Sequence, residues 1–252
     1  WYSQAGTPRV QATGQYDAAA RRYTLTLTQS CAPTPGQPVK EPFVIPLAWG
    51  LVAPDGRELA AGLHVLTDAS ETLTVDDVDA EPVPSLLRGF SAPVILDCDY
   101  SDAQLLTLLA HDSDPFNRWE AAQRLSLRRA INFIAPHADS VRAADEIVLD
   151  DGYIGALCGI LRHPTLDAAF KELVLTLPSE AYIAEQLDAV DPQRIHAVRE
   201  AMREQLARAL RSDWEWAFEA HRDNGAYRPD PVSSGRRALA GLALSQLCLA
   251  AR

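Results

Sequence analysis

The feature that most constrains this chain is a change of hydrophobic period at Ser101. In Tyr23-Thr24-Leu25-Thr26-Leu27-Thr28 apolar residues alternate with threonines, and Ile45, Leu47, Trp49 and Leu51 repeat the pattern. A period of two places one set of side chains on each face of a strand. From Leu105, Leu106, Leu108 and Leu109 onward the spacing is helical instead. No single layer of structure serves both periods. The chain therefore reads as a β part followed by an α part.

Further strands are expected at Val10–Thr13, Leu63–Leu66, Glu71–Val75 and Val94–Tyr100, where Val94, Leu96, Cys98 and Tyr100 share a face. Pro46 cannot donate to a ladder, so it predicts an edge or a bulge. Pro54-Asp55-Gly56 is a turn. Short strands separated by turns predict an Ig-like antiparallel β-sandwich over residues 1–100.

Ser101-Asp102-Ala103-Gln104 is a capping box that opens the helical part. Asp114-Pro115 opens a helix to about Ile134, with Phe116, Trp119 and Ala122 inward. Helices are also predicted at Ser140–Leu149, Tyr153–Leu161, Leu166–Leu175, Glu180–Leu187, Pro192–Glu219 and Val232–Ala251. Short links between them predict an all-α, solenoid-like array over residues 101–252. It has no strict repeat period.

Charge narrows the partners. The 252 residues carry a formal net charge of −11, with six basic against twelve acidic residues before position 101 and 17 against 22 after it. An acidic chain is not drawn to nucleic acid or to an anionic membrane surface. No run of about 18 apolar residues predicts a membrane span. Cys31, Cys98, Cys158 and Cys248 are far apart with no CxxC pair, which reads as four reduced, largely buried thiols in a cytoplasmic protein and not a zinc site, with extracytoplasmic disulfides as the alternative.

The chemistry-bearing residues do not cluster. His64, His111, His137, His163, His196 and His221 are never within four positions of one another, so an HExxH helix is absent. His196 reads as part of a solvated helical face, and His111 as a helix-end residue facing the carbonyl dipole. Asp76, Asp77 and Asp79 lack the spacing, glycine and closing glutamate of a calcium loop. Asp97 and Asp99 are expected on the outward face of a strand, and Asp150-Asp151-Gly152 at a helix-to-helix turn. Neither GxSxG nor a phosphate-binding GxxxxGK[ST] occurs. Ser233-Ser234-Gly235-Arg236-Arg237 precedes free helix amides that attract anions, but capping by Ser233 or Ser234 is the simpler reading. No catalytic, cofactor-binding or metal-ligating residue is assigned.

Four phrases carry a resemblance. They are Trp1-Tyr2-Ser3-Gln4-Ala5-Gly6-Thr7-Pro8, followed by a threonine-rich strand ending in Gln29; Pro82-Val83-Pro84-Ser85-Leu86-Leu87-Arg88-Gly89-Phe90-Ser91-Ala92-Pro93-Val94; Arg118-Trp119-Glu120-Ala121-Ala122-Gln123; and Leu175-Thr176-Leu177-Pro178-Ser179. In this order and spacing the chain resembles the bacterial alanyl-type zinc metallopeptidases, the aminopeptidase N family. The resemblance implies a piece made of the whole sandwich and the first part of a helical domain. The zinc helix, second glutamate ligand, substrate-amine motif and transition-state tyrosine have no counterpart here, which places them before Trp1. A first residue other than Met, and an uncapped apolar end at Leu249-Ala250-Ala251-Arg252, agree with a piece cut at both ends.

What the resemblance implies is a parent that uses zinc to remove N-terminal residues from peptides, with the catalytic domain of the same chain as this piece's partner. The sandwich would then be a spacer, and the helices the wall of a chamber admitting small peptides. Two rival expectations stand beside it: a stand-alone protein-binding module, and a complete hydrolase with an unrecognised acidic site.

Overall fold

A computed structural model describes residues 1–134 and 148–251. The helix expected at Ser140–Leu149 falls, over residues 140–147, outside the described residues, as does His137. The chain divides into two compact units, Trp1–Arg118 and Trp119–Arg252.

In the first unit seven strands form two sheets. They are β1 (Arg9–Asp17), β2 (Arg22–Ser30), β3 (Ile45–Val52), β4 (Glu58–Leu66), β5 (Ser70–Val75), β6 (Val83–Leu86) and β7 (Ile95–Cys98). One sheet has the order β5-β2-β1-β7 and the other β4-β3-β6. Every pairing is antiparallel except β1 with β7, which is parallel and sets Val10 opposite Leu96. The alternating residues behave as their period requires: Tyr23, Leu25 and Leu27 of one sheet and Ile45, Leu47, Trp49 and Leu51 of the other are buried in one core.

Pro46 corrects one expectation. β3 is the central strand of its sheet, not an edge, and its irregularity falls at Leu51/Val52. Pro46 is tolerated because β6 pairs only with Trp49–Val52, so the ladder on that side stops short of it. Strand β6 was not expected. All four of its residues are buried, so it shows no alternation to read.

Helix α1 (Asp102–His111) follows, and its capping box is as the sequence requires: Ser101 Oγ accepts from the Gln104 amide, while Gln104 Oε1 accepts from the Ser101 amide at 2.8 Å. α1 lies against β3 and β6. Helix α2 (Pro115–Ile134) begins in this unit and continues into the second. Ala122 is buried as expected, whereas Phe116 and Trp119 are half-buried; the buried positions of α2 include the polar Asn117, Arg118, Gln123, Ser126 and Arg129. Each of these finds a partner. Arg118, for example, donates to the Leu109 and Ala110 carbonyls at the end of α1.

The second unit continues with α3 (Asp151–Arg162), α4 (Ala168–Leu175), α5 (Glu180–Ala184), α6 (Pro192–Ala209), α7 (Arg211–His221) and α8 (Pro231–Ala250). Side-chain caps start most of them: Asp150, Asp167, Ser179, Asp191 and Asp230 each accept from an amide of the first turn. Asp150 thus initiates α3, and Asp151 and Gly152 are its first helical residues, not a turn. The single helix expected over Pro192–Glu219 is two helices meeting at Leu210 (φ −105°, ψ 24°). No proline or glycine marks the break. It turns Trp214 into the core, where the indole is 1% exposed and donates to the Leu206 carbonyl. Gly235 lets α8 approach α4 closely, since a Cβ there would lie 2.8 Å from the Ala169 nitrogen.

Candidate functional site

A concentration of polar contacts in the first unit is built by a left-handed turn. Leu87, Gly89 and Phe90 all take positive φ (57°, 62° and 52°) around Arg88. Such a conformation costs a non-glycine residue about 1–2 kcal/mol. The turn aims Arg88 at the sheet, where its guanidinium lies over Gly50; a Cβ at that position would come within 2.1 Å of Cζ. Arg88 Nε donates to Ser85 Oγ at 2.8 Å, Nη1 to Glu58, and Nη2 to Asp112 Oδ1 at 3.1 Å. Asn117 Nδ2 donates to the same Ser85 Oγ at 2.7 Å and to the Leu86 carbonyl.

Electrostatics follow from this placement. Burial pushes the Asp112 carboxyl up from its ordinary value, against hydrogen bonds and Arg88 that pull it down. The hydrogen bond from Arg88 holds Glu58 below its ordinary value. The network leaves one of its own atoms unsatisfied: Asp112 Oδ2 is buried and accepts no hydrogen bond. It binds strand, turn and helix ends together.

Two clefts among the described residues bear on the expected sites. A cleft of about 190 Å³ is lined by Tyr23, Glu81, Cys98, Asp99, Tyr100 and Gln104 among others. Burial, then the neighbouring Cys98 and Glu81, raise the Tyr23 phenol well above its ordinary value, so it stays neutral and is no base. A second cleft of about 280 Å³ lies by Asp167, His221, Gly235 and Arg236. It covers the expected anion stretch and corrects it: Asp230, not Ser233 or Ser234, caps α8, accepting from the Ser233 amide at 2.9 Å. A capping carboxylate opposes an anion there. Arg236 is spent on the Ala220 and Arg222 carbonyls, and Arg237 on Asp223.

The histidines are dispersed by the fold as by the sequence. His64 Nε2 meets Glu71 at 2.8 Å, His196 Nδ1 meets Glu180 at 2.8 Å, and His221 Nδ1 donates to the Ala217 carbonyl at 2.9 Å. His163 meets Thr165. His111 ends α1. Asp76 pairs with Arg22 and Asp79 with Arg57. Asp97 pairs with Arg9 at 2.7 Å. Among the described residues no group of three or more His, Cys, Asp or Glu lies together in a way that could hold a metal ion. No helix among them is long and apolar enough to cross a membrane. Cys31, Cys98, Cys158 and Cys248 are free thiols, and their expected burial is corrected: the first three are half-buried and Cys248 is exposed. The sequence missed the Arg88 junction because its members lie on four separate segments. The only local sign was Arg88-Gly89, a glycine beside a cation.

Residues 102–252 match the family described as a domain of unknown function (DUF3458_C) with ARM repeats, and residues 6–99 match a domain of unknown function (DUF3458) with an Ig-like fold. The chain belongs to the DUF3458_C family. Its relatives include aminopeptidase N of Caulobacter vibrioides, 42% identical over 240 residues, covering 95% of this chain and 27% of that protein. Aminopeptidase N of Escherichia coli K12 is 35% identical over 247 residues, covering 95% of this chain and 28% of that protein. A crystal structure of Legionella pneumophila aminopeptidase A in complex with aspartic acid shares the fold at a TM-score of 0.81 and 23% identity, over 98% of this chain and 28% of that one. The chain thus spans little more than a quarter of the length of these relatives. The Ig-like part and the helical-repeat part are both borne out.

Proposed function

We propose that this chain is the non-catalytic C-terminal portion of a zinc-dependent aminopeptidase N, acting as spacer and chamber wall for an enzyme that removes N-terminal residues from peptides. One observation carries the reading. The match to the Caulobacter vibrioides aminopeptidase N takes in 95% of this chain but only 27% of that protein. A segment of that kind accounts for two domains and leaves the bulk of the relative for the chemistry.

The described residues do not fit the zinc of such an enzyme. Its ligands must converge on one point, and the described histidines are engaged separately on different elements. No step of hydrolysis is therefore assigned to them. Their contribution in this reading is geometric: a packed sandwich and a helical array that restrict access by size. The partner is the catalytic domain of the same polypeptide, the substrates are peptides, and the compartment is the cytoplasm.

The test uses an alanyl chromogenic substrate with added zinc. The 252-residue chain is expected to release no product above buffer, and the full-length product of its gene to hydrolyse the substrate. Turnover by the 252-residue chain, or none by the full-length protein, overturns the reading.

A further inference from the structure

One buried phenol of the sandwich has nothing to bond. Tyr23 is only 4% exposed, yet among the described residues its hydroxyl meets no hydrogen-bond partner. The other two tyrosines that border the same cleft are served by backbone: Tyr16 donates to the Val78 carbonyl at 3.0 Å, and Tyr100 to the Pro84 carbonyl at 2.8 Å. A buried hydroxyl left without a partner has lost its water for no return.

The register shows where this hydroxyl is directed. Strand β1 sets Tyr16 opposite Tyr23 of β2, and Ala12 opposite Cys98 of β7. Alternation puts Gly14 on the same side of β1 as Ala12 and Tyr16. A Cβ at Gly14 would stand 1.9 Å from the Tyr23 hydroxyl oxygen. Glycine there lets the phenol lie across β1 toward β7. It ends at the cleft of about 190 Å³ that Gly14, Glu81 and Cys98 also line, and Cys98 and Glu81 are the groups whose charge acts on it.

The remaining lining sets the charge of what fits. No lysine, arginine or histidine borders the cleft. Glu81 and Asp99 do, both exposed at its rim, and neither carboxylate has a hydrogen bond or ion pair among the described residues. Elsewhere in the sandwich Asp76, Asp79 and Asp97 each hold an arginine. Two unpaired carboxylates repel an anion and favour a cation. A bare metal ion lacks its ligand set here, because no three histidine, cysteine or acidic residues among those described converge. Tyrosine and proline rings supply apolar walls for an alkyl stem. At about 30 Å³ per water, the space equals about six water molecules, so the occupant is small.

We infer that this cleft binds a small organic ammonium ion, its nitrogen held between the Tyr23 hydroxyl oxygen and the carboxylates of Glu81 and Asp99.

Titration of the 252-residue chain with n-butylammonium chloride at fixed ionic strength tests this, with n-butanol as the uncharged counterpart. Two-dimensional NMR follows the backbone amides. Saturable shifts are expected at Ala12, Thr13, Gly14, Cys98 and Asp99, which line the cleft, and none with butanol. Tyr23→Phe should weaken binding about tenfold, through loss of a charge-assisted hydrogen bond. It should leave the thermal midpoint where it was, since the hydroxyl has no partner in the protein to lose. Glu81→Gln should weaken binding about two- to fivefold, as suits an exposed pair. Shifts that do not saturate, that scatter over the acidic surface or that butanol reproduces overturn the inference. So does a Tyr23→Phe protein that binds as the parent does. A Tyr23→Phe protein that melts lower or fails to fold gives the hydroxyl an internal role, and overturns it as well.

Discussion

Arg88 donates through Nη2 to Asp112 Oδ1 at 3.1 Å, at a point where the Asp112 side chain has no exposure to water and the Arg88 side chain only 13%. One residue comes from a left-handed turn after β6, the other caps the end of α1. Their meeting fixes a helix end against a sheet that has no covalent reason to hold it.

Arg88→Met should destabilise the chain by about 3–5 kcal/mol, because removing one partner strands a buried charge. Adding Asp112→Asn should recover part of the loss. Gly50→Ala should reach the same network from the other side, at about 1–3 kcal/mol, since its Cβ occupies the space of the guanidinium. Urea unfolding of the four proteins checks the order.

Glu71 is held at about 2, first by the Asp68 amide, then by the Thr67 amide. A depressed carboxyl stabilises the fold above its ordinary value of 4.5, and that contribution is lost as pH falls toward 2. Screening by nearby water limits it to about 1–2 kcal/mol. Between pH 6 and pH 2 the parent sequence should lose more stability than Glu71→Gln, as read by denaturant midpoints.

Gln29 closes the sandwich from inside. Its Nε2 donates to the Phe43 carbonyl at 2.8 Å and to the Asp68 carbonyl at 3.0 Å, and its Oε1 accepts from the Phe43 amide at 2.7 Å. Gln29→Leu keeps the volume but leaves three backbone groups without partners. The expected cost is on the order of 3 kcal/mol, visible as a lower thermal midpoint. An unchanged midpoint would show that water replaces the amide.

Tyr153 is wholly buried, its hydroxyl 2.7 Å from Ser126 Oγ. Burial raises the phenol to about 12. A raised acid stabilises the fold below its ordinary value of 10, and this is lost as pH climbs from about 10 to about 12. Tyr153→Phe should cost about 1 kcal/mol at neutral pH, because Ser126 keeps its bond to the Ala122 carbonyl. It should also blunt the alkaline loss, leaving the part that Tyr23 contributes. Spectrophotometric titration with parallel unfolding checks both.

The residues that announced themselves did so through local rules. The alternation at Tyr23–Thr28 and the Ser101 capping box each depend on neighbours within a few positions, and each appears as read. Leu210 and Val83–Leu86 did not announce themselves. The helix break at Leu210 is set by what Trp214 packs into, and β6 is covered on both faces, so no period survives in its sequence. The inward placing of Phe116 and Trp119 failed for the same reason: Asn117 and Arg118 take the buried positions because carbonyls and a serine from other segments receive them.

By itself the sequence determined the two-part architecture, most helix starts and the dispersal of the histidines, because period, capping and spacing act over a few residues. It also pointed through its phrases to the aminopeptidase relatives. Only the tertiary structure decided that Arg88 and Asp112 meet, that Asp230 caps α8, and that the guanidinium of Arg88 lies over Gly50. Those outcomes depend on strand order and register, which join residues dozens of positions apart and leave no mark on any single stretch of chain.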